Sequence, residues 1–268
     1  MKINPKVTRK FAGAVCTGHP EWKPKPSHID LFTWLAGCPD ATEPLKDALL
    51  VLGTPRCGST LFCEVLNSSN RIGYCDEWFN YEYFAAYIEV LGVEFSLQDY
   101  VNFIARKTMR DTGVFALKWH VGQIVGMNKD FDLGMESMDF RHVVYLYRQD
   151  KIAQAVSLLK ASITGQFRSY EREKKSDKKV SRHGIVVALE PLIRFDRFCR
   201  QYLWKYVDEE YAYEDFRDFS HPCYNDVLRA MGKPSCGKFS ADKMKKQGDR
   251  TNDDAGHDFL KYITGERI

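Results

Sequence analysis

The stretch that decides the fold is residues 48–60, which read Ala-Leu-Leu-Val-Leu-Gly-Thr-Pro-Arg-Cys-Gly-Ser-Thr. Its first five residues are continuously apolar and are followed by a glycine, a pattern typical of a strand buried on both faces of a parallel sheet. Beyond the glycine, Phe62, Val65 and Leu66 recur at helical spacing, which predicts a helix from about Ser59 to Leu66. The stretch therefore predicts a strand, a glycine-rich loop and a helix in succession.

We call residues 53–60 the glycine loop. Two glycines separated by four residues and followed by a Ser/Thr pair are the spacing of phosphate-binding loops. Ser59 replaces the lysine of nucleotide triphosphatases, and Arg56 supplies a basic side chain inside the loop instead. Backbone N–H groups, the helix N-terminus and Arg56 are therefore expected to converge on one anion, with Ser59 and Thr60 as hydroxyl donors. A tight turn without a ligand is the alternative.

Further along the chain, apolar runs alternate with helical patterns. Residues 114–119 and 142–147 predict two more buried strands, and Asp150 is an expected N-cap for the helix that follows. The other predicted elements are a helix with the apolar stripe Ile152, Val156, Leu159 and Ile163 and a C-cap at Gly165, a long helix over 188–206, a strand over 211–213 and a helix over 220–231. The alternation predicts an α/β fold of three layers, α/β/α, with a central parallel sheet of the phosphate-loop nucleotide-binding type.

The domain organisation is expected to be simple. No repeat or linker-like segment divides the chain, so residues 1–268 are expected to form one domain. Residues 1–45 are rich in turn formers and predict an N-terminal arm, and residues 46–268 are expected to form the α/β core with inserted helices and loops. The segment from Arg168 to Arg182 holds seven basic and three acidic residues. It is predicted to be a solvated loop, with a basic lip over an anionic cofactor as the alternative.

Composition narrows the classes of function. The 39 lysines and arginines exceed the 36 aspartates and glutamates by three, and the pI of about 8.3 is too mild for a nucleic-acid-binding domain. The eight cysteines form no C-x-x-C pair, and no H-E-x-x-H motif occurs, so we expect neither a disulfide scaffold nor a metal site. No apolar run predicts a membrane span or a signal peptide, and we expect a cytoplasmic protein.

Four motifs, in order along the chain, resemble one known family. They are Thr-Pro-Arg-Cys-Gly-Ser-Thr-Leu at 54–61, Gly-Tyr-Cys-Asp-Glu-Trp-Phe at 73–79, Tyr-Arg-Gln-Asp-Lys-Ile-Ala-Gln-Ala-Val-Ser at 147–157 and Ala-Ser-Ile-Thr-Gly-Gln-Phe at 161–167, with a fainter echo at 246–249. Together they resemble the bacterial trehalose 2-sulfotransferase family. The resemblance does not cover the first 45 residues, and residues 81–110 are divergent.

The resemblance implies that the sulfuryl donor is 3′-phosphoadenosine 5′-phosphosulfate (PAPS), which leaves as adenosine 3′,5′-bisphosphate. In this family the glycine loop binds the 5′-phosphosulfate, and the matching residues here are Pro55, Arg56, Cys57, Gly58, Ser59 and Thr60. Arg56 and Ser59 are the expected polar contacts, and Cys57 stands where relatives usually have serine. The residues that match Arg148 and Ser157 bind the 3′-phosphate.

The resemblance also implies an acceptor hydroxyl on a carbohydrate or glycolipid, a homodimer, and a general base that matches Glu77. A carboxylate beside the bound sulfate is chemically able to take the proton of the hydroxyl. Lys118 and His120 lie at the end of the second predicted strand, where they could stabilise developing charge. An ordinary surface position at the strand end is the alternative for both.

Two other functions are compatible with the residues. A small-molecule kinase with a variant phosphate loop would require Mg²⁺ and a γ-phosphate donor. A nucleotide-binding regulatory module would have no chemistry at all. The leading hypothesis is a PAPS-dependent sulfotransferase that binds a small acceptor and no nucleic acid.

Overall fold

The computed structural model describes residues 24–131, 135–167, 179–241 and 250–264. The strands are β1 (Asp47–Gly53), β2 (Val114–His120), β3 (His142–Tyr147) and β4 (Glu209–Ala212). The α-helices are α1 (Pro26–Gly37), α2 (Ser59–Ser68), α3 (Tyr81–Leu91), α4 (Leu97–Thr108), α5 (Val121–Phe131), α6 (Lys151–Thr164), α7 (Arg182–Phe198), α8 (Tyr213–Phe216), α9 (Cys223–Ala230) and α10 (Arg250–Thr264). Single 3-10 turns occur at Met135–Ser137 and Trp204–Tyr206, and a π-helical turn at Cys199–Leu203.

The four strands form one parallel sheet in the order β2-β1-β3-β4. In this register Leu50 of β1 lies between Leu117 of β2 and Val143 of β3. Because all strands run the same way, their carboxyl ends meet at one edge of the sheet. In open parallel sheets of this kind, ligands bind at that edge.

Alternate residues of the strands belong to two separate cores. Leu50 and Leu52 face one core, which also contains side chains of α1, α3, α4 and α5. Leu49 and Val51 face the other, with side chains of α2 and α9. Both faces of the sheet are therefore covered by helices, as the continuously apolar run of β1 predicts.

Most predicted elements are present in the structure. The strands predicted at 48–52, 114–119 and 142–147 correspond to β1, β2 and β3, and the helix predicted after the glycine loop corresponds to α2. The N-cap prediction is also confirmed, because the Asp150 carboxylate accepts the N–H of Ala153 at 2.8 Å and α6 begins at the next residue. Gly165 caps the other end of α6 with a φ of 68°. The α/β class with a central parallel sheet is thus confirmed.

Residues 26–37, inside the predicted N-terminal arm, form the helix α1 although the segment is rich in turn formers. Pro26 occupies the first turn of this helix, where the missing N–H of a proline removes no hydrogen bond. Phe32 and Leu35 are fully buried and fix α1 to the core. The many prolines nearby conceal this helical pattern in the sequence.

Other boundaries also differ from the predictions. The long helix predicted over 188–206 begins earlier, at Arg182, and its α-helical part ends at Phe198 before the π-helical turn. The strand predicted over 211–213 is β4, and Tyr213 instead begins α8.

The single-domain organisation stays a prediction. Residues 1–23, 168–178 and 246–249 lie outside the described residues, and they include much of the N-terminal arm, most of the basic segment and the C-terminal echo of the family motifs. Among the helices that are described, none is both long and apolar enough to cross a membrane.

The segment between α2 and α3 runs along the outer side of β2. Gly73 donates its N–H to the carbonyl of Val114 at 3.0 Å, and Lys118 donates its N–H to the carbonyl of Asp76 at 2.9 Å. The approach at Gly73 is close, because a Cβ there would lie 2.4 Å from the Val114 carbonyl oxygen. The absence of a side chain at Gly73 therefore lets this segment reach the carboxyl edge of the sheet.

We expect Gly73→Ala to lower the free energy of unfolding by about 2 kcal/mol, because the clashing atom belongs to the backbone and cannot rotate away. Chemical denaturation of the two proteins measures the difference. Gly37→Ala is the matched control, since a Cβ at Gly37 meets nothing within 4 Å. Equal stability losses in both variants would contradict the close approach at Gly73.

Candidate active site

The glycine loop leaves the carboxyl end of β1 and closes a turn before α2 begins. The carbonyl of Thr54 accepts the N–H of Cys57 at 3.3 Å, so residues 54–57 form a β-turn. Arg56, its third residue, has a positive φ of 64°, a strained value for a residue with a side chain. The loop thus holds a conformation that its neighbours must support.

Gly58 is required at the start of α2 for two reasons. Its φ is 85°, and a Cβ would lie 2.4 Å from Cδ2 of Tyr213 and 3.1 Å from Cζ of Phe216. Gly58 also has no side chain with which to cap the first N–H groups of α2. Those groups, with the positive end of the helix dipole, form an anion-binding arrangement at the carboxyl edge of the sheet.

Cys57 turns its side chain away from this arrangement. The thiol is fully buried in the core beneath the loop, and burial raises its pKa to about 11, so it is uncharged at neutral pH. The N–H and hydroxyl of Ser59, itself almost fully buried, contact this sulfur and oppose the rise in pKa. Only the backbone of Cys57, and not its thiol, is therefore placed to make the predicted contact with an anion.

The family resemblance assigns Arg56 and Ser157 to opposite ends of the donor. In the structure their side chains are hydrogen-bonded to each other. Arg56 Nε donates to Ser157 Oγ at 3.0 Å, and the guanidinium also donates to the carbonyl of Phe167. The side chain therefore crosses from the glycine loop to α6.

The side chain of Tyr213 lies between Arg148 and the glycine loop. Its guanidinium carbon is 4.9 Å from the centroid of the Tyr213 ring, which itself packs on Gly58. Its Nε is 3.8 Å from a carboxylate oxygen of Glu214, is buried, and has no hydrogen-bond acceptor within the described part of the chain. Glu214 also accepts the N–H of Gln149 at 3.1 Å. A partly buried guanidinium is thus held at this edge, and its buried Nε–H has no acceptor among the described residues.

Glu77 is held by two basic side chains from the end of β2. Its Oε1 lies 2.9 Å from Lys118 Nζ and 3.2 Å from His120 Nε2. Lys118 is 1% exposed and also donates to Thr60 Oγ1 at 3.0 Å, so it joins Glu77 to the first turn of α2. The surface position that the sequence left open is therefore excluded for Lys118. The other ring nitrogen of His120 lies 3.4 Å from the carbonyl oxygen of Gly53.

Two residues of the site are absent from the sequence-based predictions. Asp76 is buried, accepts the N–H of Glu77 at 2.8 Å and lies 3.8 Å from Lys118 Nζ. Gln154 is fully buried and donates to the carbonyl of Pro55 at 2.7 Å. Gln154 precedes Ser157 by three residues, so helical geometry places both on one face of α6, and this spacing could have identified it.

No group of three or more His, Cys, Asp or Glu side chains within the described ranges is arranged to hold a metal ion. The chemistry available at this edge is that of anion binding by N–H and guanidinium groups beside a carboxylate–ammonium–imidazole cluster.

We expect Lys118→Met to lower the free energy of unfolding by about 3 kcal/mol, because it leaves the largely buried carboxylates of Glu77 and Asp76 without their cation. Lys46→Met is the matched control. Lys46 pairs with Glu43 at the same 2.9 Å distance, but both side chains are exposed, and the loss should stay below about 1 kcal/mol. Urea denaturation measures both, and equal losses would contradict the argument from burial.

Comparison with known protein families adds independent evidence. No curated protein matches the chain. The family model described as Stf0 sulphotransferase matches residues 48–259, which contain all four motifs and every site residue described above. This match confirms the family resemblance seen in the motifs. The chain therefore belongs to the Stf0 sulphotransferase family, whose enzymes transfer sulfuryl groups.

Proposed function

We propose that this sulfotransferase takes the sulfuryl group from PAPS and transfers it to a hydroxyl of a carbohydrate or glycolipid, with Glu77 as the general base. The observation that carries the proposal is the position of Lys118. Its ammonium contacts Glu77 Oε1 at 2.9 Å and Thr60 Oγ1 at 3.0 Å. The Lys118 side chain therefore links the candidate base, Glu77, to the N-terminus of α2, which would bind the donor.

The residues present fit PAPS. The N–H groups at the start of α2 and the Arg56 guanidinium suit the 5′-phosphosulfate, and Gly58 has no side chain that would cap those N–H groups. Arg148, whose buried Nε lacks an acceptor among the described residues, and Ser157 would hold the 3′-phosphate. We therefore include a phosphate-loop type of donor site in the proposal, without the lysine that nucleotide triphosphatases use.

When bound, the donor supplies a sulfuryl group whose S–O bond to the 5′-phosphate breaks as a bond to the acceptor oxygen forms. Glu77 accepts the proton of the acceptor hydroxyl, and the oxygen keeps the electron pair for the new bond. Lys118 favours the ionised carboxylate that this task requires. Loop N–H groups and Arg56 stabilise the negative charge left on the phosphate.

The acceptor class and the homodimer rest on the family resemblance. Helices α3 and α4 cover residues 81–108, which diverge from the family motifs and follow directly after Glu77. A segment that departs from the family motifs and adjoins the candidate base is a natural place for acceptor specificity.

The two alternatives have less support. Ser59 stands at the kinase lysine position and is almost fully buried, and nothing in the family match favours a kinase. A regulatory module without chemistry would have no need to hold a carboxylate between a buried lysine and a histidine.

Adenosine 3′,5′-bisphosphate is expected to stabilise the protein in a thermal-shift titration, by about 2.7 kcal/mol at 100 times its dissociation constant. Neither ADP nor ATP should do so, with or without Mg²⁺. Arg148→Ala should abolish the shift, whereas Arg141→Ala, at the opposite end of β3 and paired with Asp47, should retain it. Stabilisation by Mg·ATP alone, or by none of these ligands, would contradict the proposed donor.

Glu77→Gln is expected to lower kcat by a factor of about 100 to 10,000, because the amide cannot accept the hydroxyl proton. Its affinity for adenosine 3′,5′-bisphosphate should stay close to that of the wild type. Steady-state assay of sulfuryl transfer measures the first quantity and calorimetry the second. The control is Glu190→Gln, an exposed residue of α7. Full activity in Glu77→Gln would remove Glu77 as the base.

A further inference from the structure

We propose that Gln154 is a positioning residue of the donor site: it sets the orientation of the Pro55–Arg56 peptide in the glycine loop and thereby the affinity for the donor. The inference rests on the proposed function, because it concerns the same anion. Gln154 is a buried polar residue of α6. None of its hydrogen bonds described here involves Glu77, Lys118 or His120.

The contacts of Gln154 are directed at the loop. Its Nε2 donates to the carbonyl of Pro55 at 2.7 Å and to Thr54 Oγ1 at 2.9 Å. The Pro55 carbonyl can only accept, so the amide group that faces it must be the NH2. On the other side Oε1 accepts from Lys151 Nζ at 3.3 Å. The partners therefore dictate which end of the amide faces the loop.

A further layer of side chains fixes this orientation. Lys151 forms an ion pair with Asp196 of α7, and the same carboxylate accepts the hydroxyl of Tyr145 at 2.6 Å. Gln154 thus connects the glycine loop to a hydrogen-bonded network that spans β3, α6 and α7. Rigid support of this kind is what a positioning role needs.

The bond to Pro55 decides the type of turn. A proline at the second position has a negative φ, and Arg56 at the third position has a φ of +64°, which together specify a type II turn. Types I and II differ by a flip of their central peptide, here Pro55–Arg56. Type I would give Arg56 an unstrained negative φ, so the turn needs an external reason to be type II. The hydrogen bond from Gln154 supplies it.

The direction of the N–H follows from the planarity of the peptide. In a trans peptide the carbonyl and the N–H point in opposite directions. Since the Pro55 carbonyl points at Gln154, the N–H of Arg56 points away from α6. In the flipped turn this N–H would be replaced by a carbonyl oxygen, which repels an anion. Ser157, one helical turn beyond Gln154, holds the Arg56 side chain at 3.0 Å, so both parts of Arg56 are set by one face of α6.

The test compares the affinity for adenosine 3′,5′-bisphosphate in the wild-type chain and in Gln154→Met, which keeps the side-chain length and removes the amide. We expect the dissociation constant from calorimetry to rise about tenfold, with a parallel rise in KM for PAPS. Gln154→Glu, whose ionised carboxylate cannot donate to Pro55, should change affinity in the same direction and serves if the methionine variant does not fold.

A merely structural role would lower the melting temperature without this change in affinity. A second background separates the two. Arg56→Gly weakens binding on its own, but a glycine adopts a positive φ freely, so adding Gln154→Met to it should cost clearly less than tenfold. An equal effect in both backgrounds would overturn the role assigned to the turn.

Ser162→Ala, on the exposed side of α6, is the control and should bind with wild-type affinity. If the wild-type chain does not bind the bisphosphate, the proposed function itself fails. If the wild type binds and Gln154→Met binds equally well, or Ser162→Ala weakens binding as much, only the role of Gln154 fails.

Discussion

The carboxyl edge of the sheet depends on one buried ammonium group. Lys118 is almost completely removed from water, and a lysine in that position is stable only if charged and polar partners replace its hydration. Those partners are Glu77, from the segment after α2, and Thr60, from the first turn of α2. One charge on β2 therefore holds the candidate base and the first turn of α2 in a fixed relation, and a shift of either would cost the buried ammonium one of its partners.

The glycine loop, in contrast, does not hold its own shape. Its turn is strained at Arg56, and its last residue before α2, Gly58, lies against the rings of Tyr213 and Phe216. Support comes from α6 through Gln154 and Ser157 and from α8 through Tyr213. The strain and the support occur together because a backbone held in a sparsely populated conformation persists only where its surroundings fix it.

The sequence predicts the sheet well, because strands buried on both faces leave unbroken apolar runs at 48–52, 114–117 and 143–147. It also supplied the family and Glu77 through the motifs. It did not predict which way polar side chains point. Lys118 follows four apolar residues of β2 and precedes a tryptophan. This pattern of a strand covered on both faces could have excluded a surface position for Lys118. The inward turn of Cys57 and the burial of α1 depend on packing between distant segments, which no local pattern encodes.

The contact between Gly58 and Tyr213 joins the start of the sheet to a helix that the chain reaches only after β4. The loop is therefore not a local structure that can form when its own residues collapse. Its shape depends on contacts with the C-terminal third of the chain, so the proposed donor site is held by long-range contacts. In hydrogen-exchange terms, the amides of the loop should open with the whole sheet and not as an independent unit.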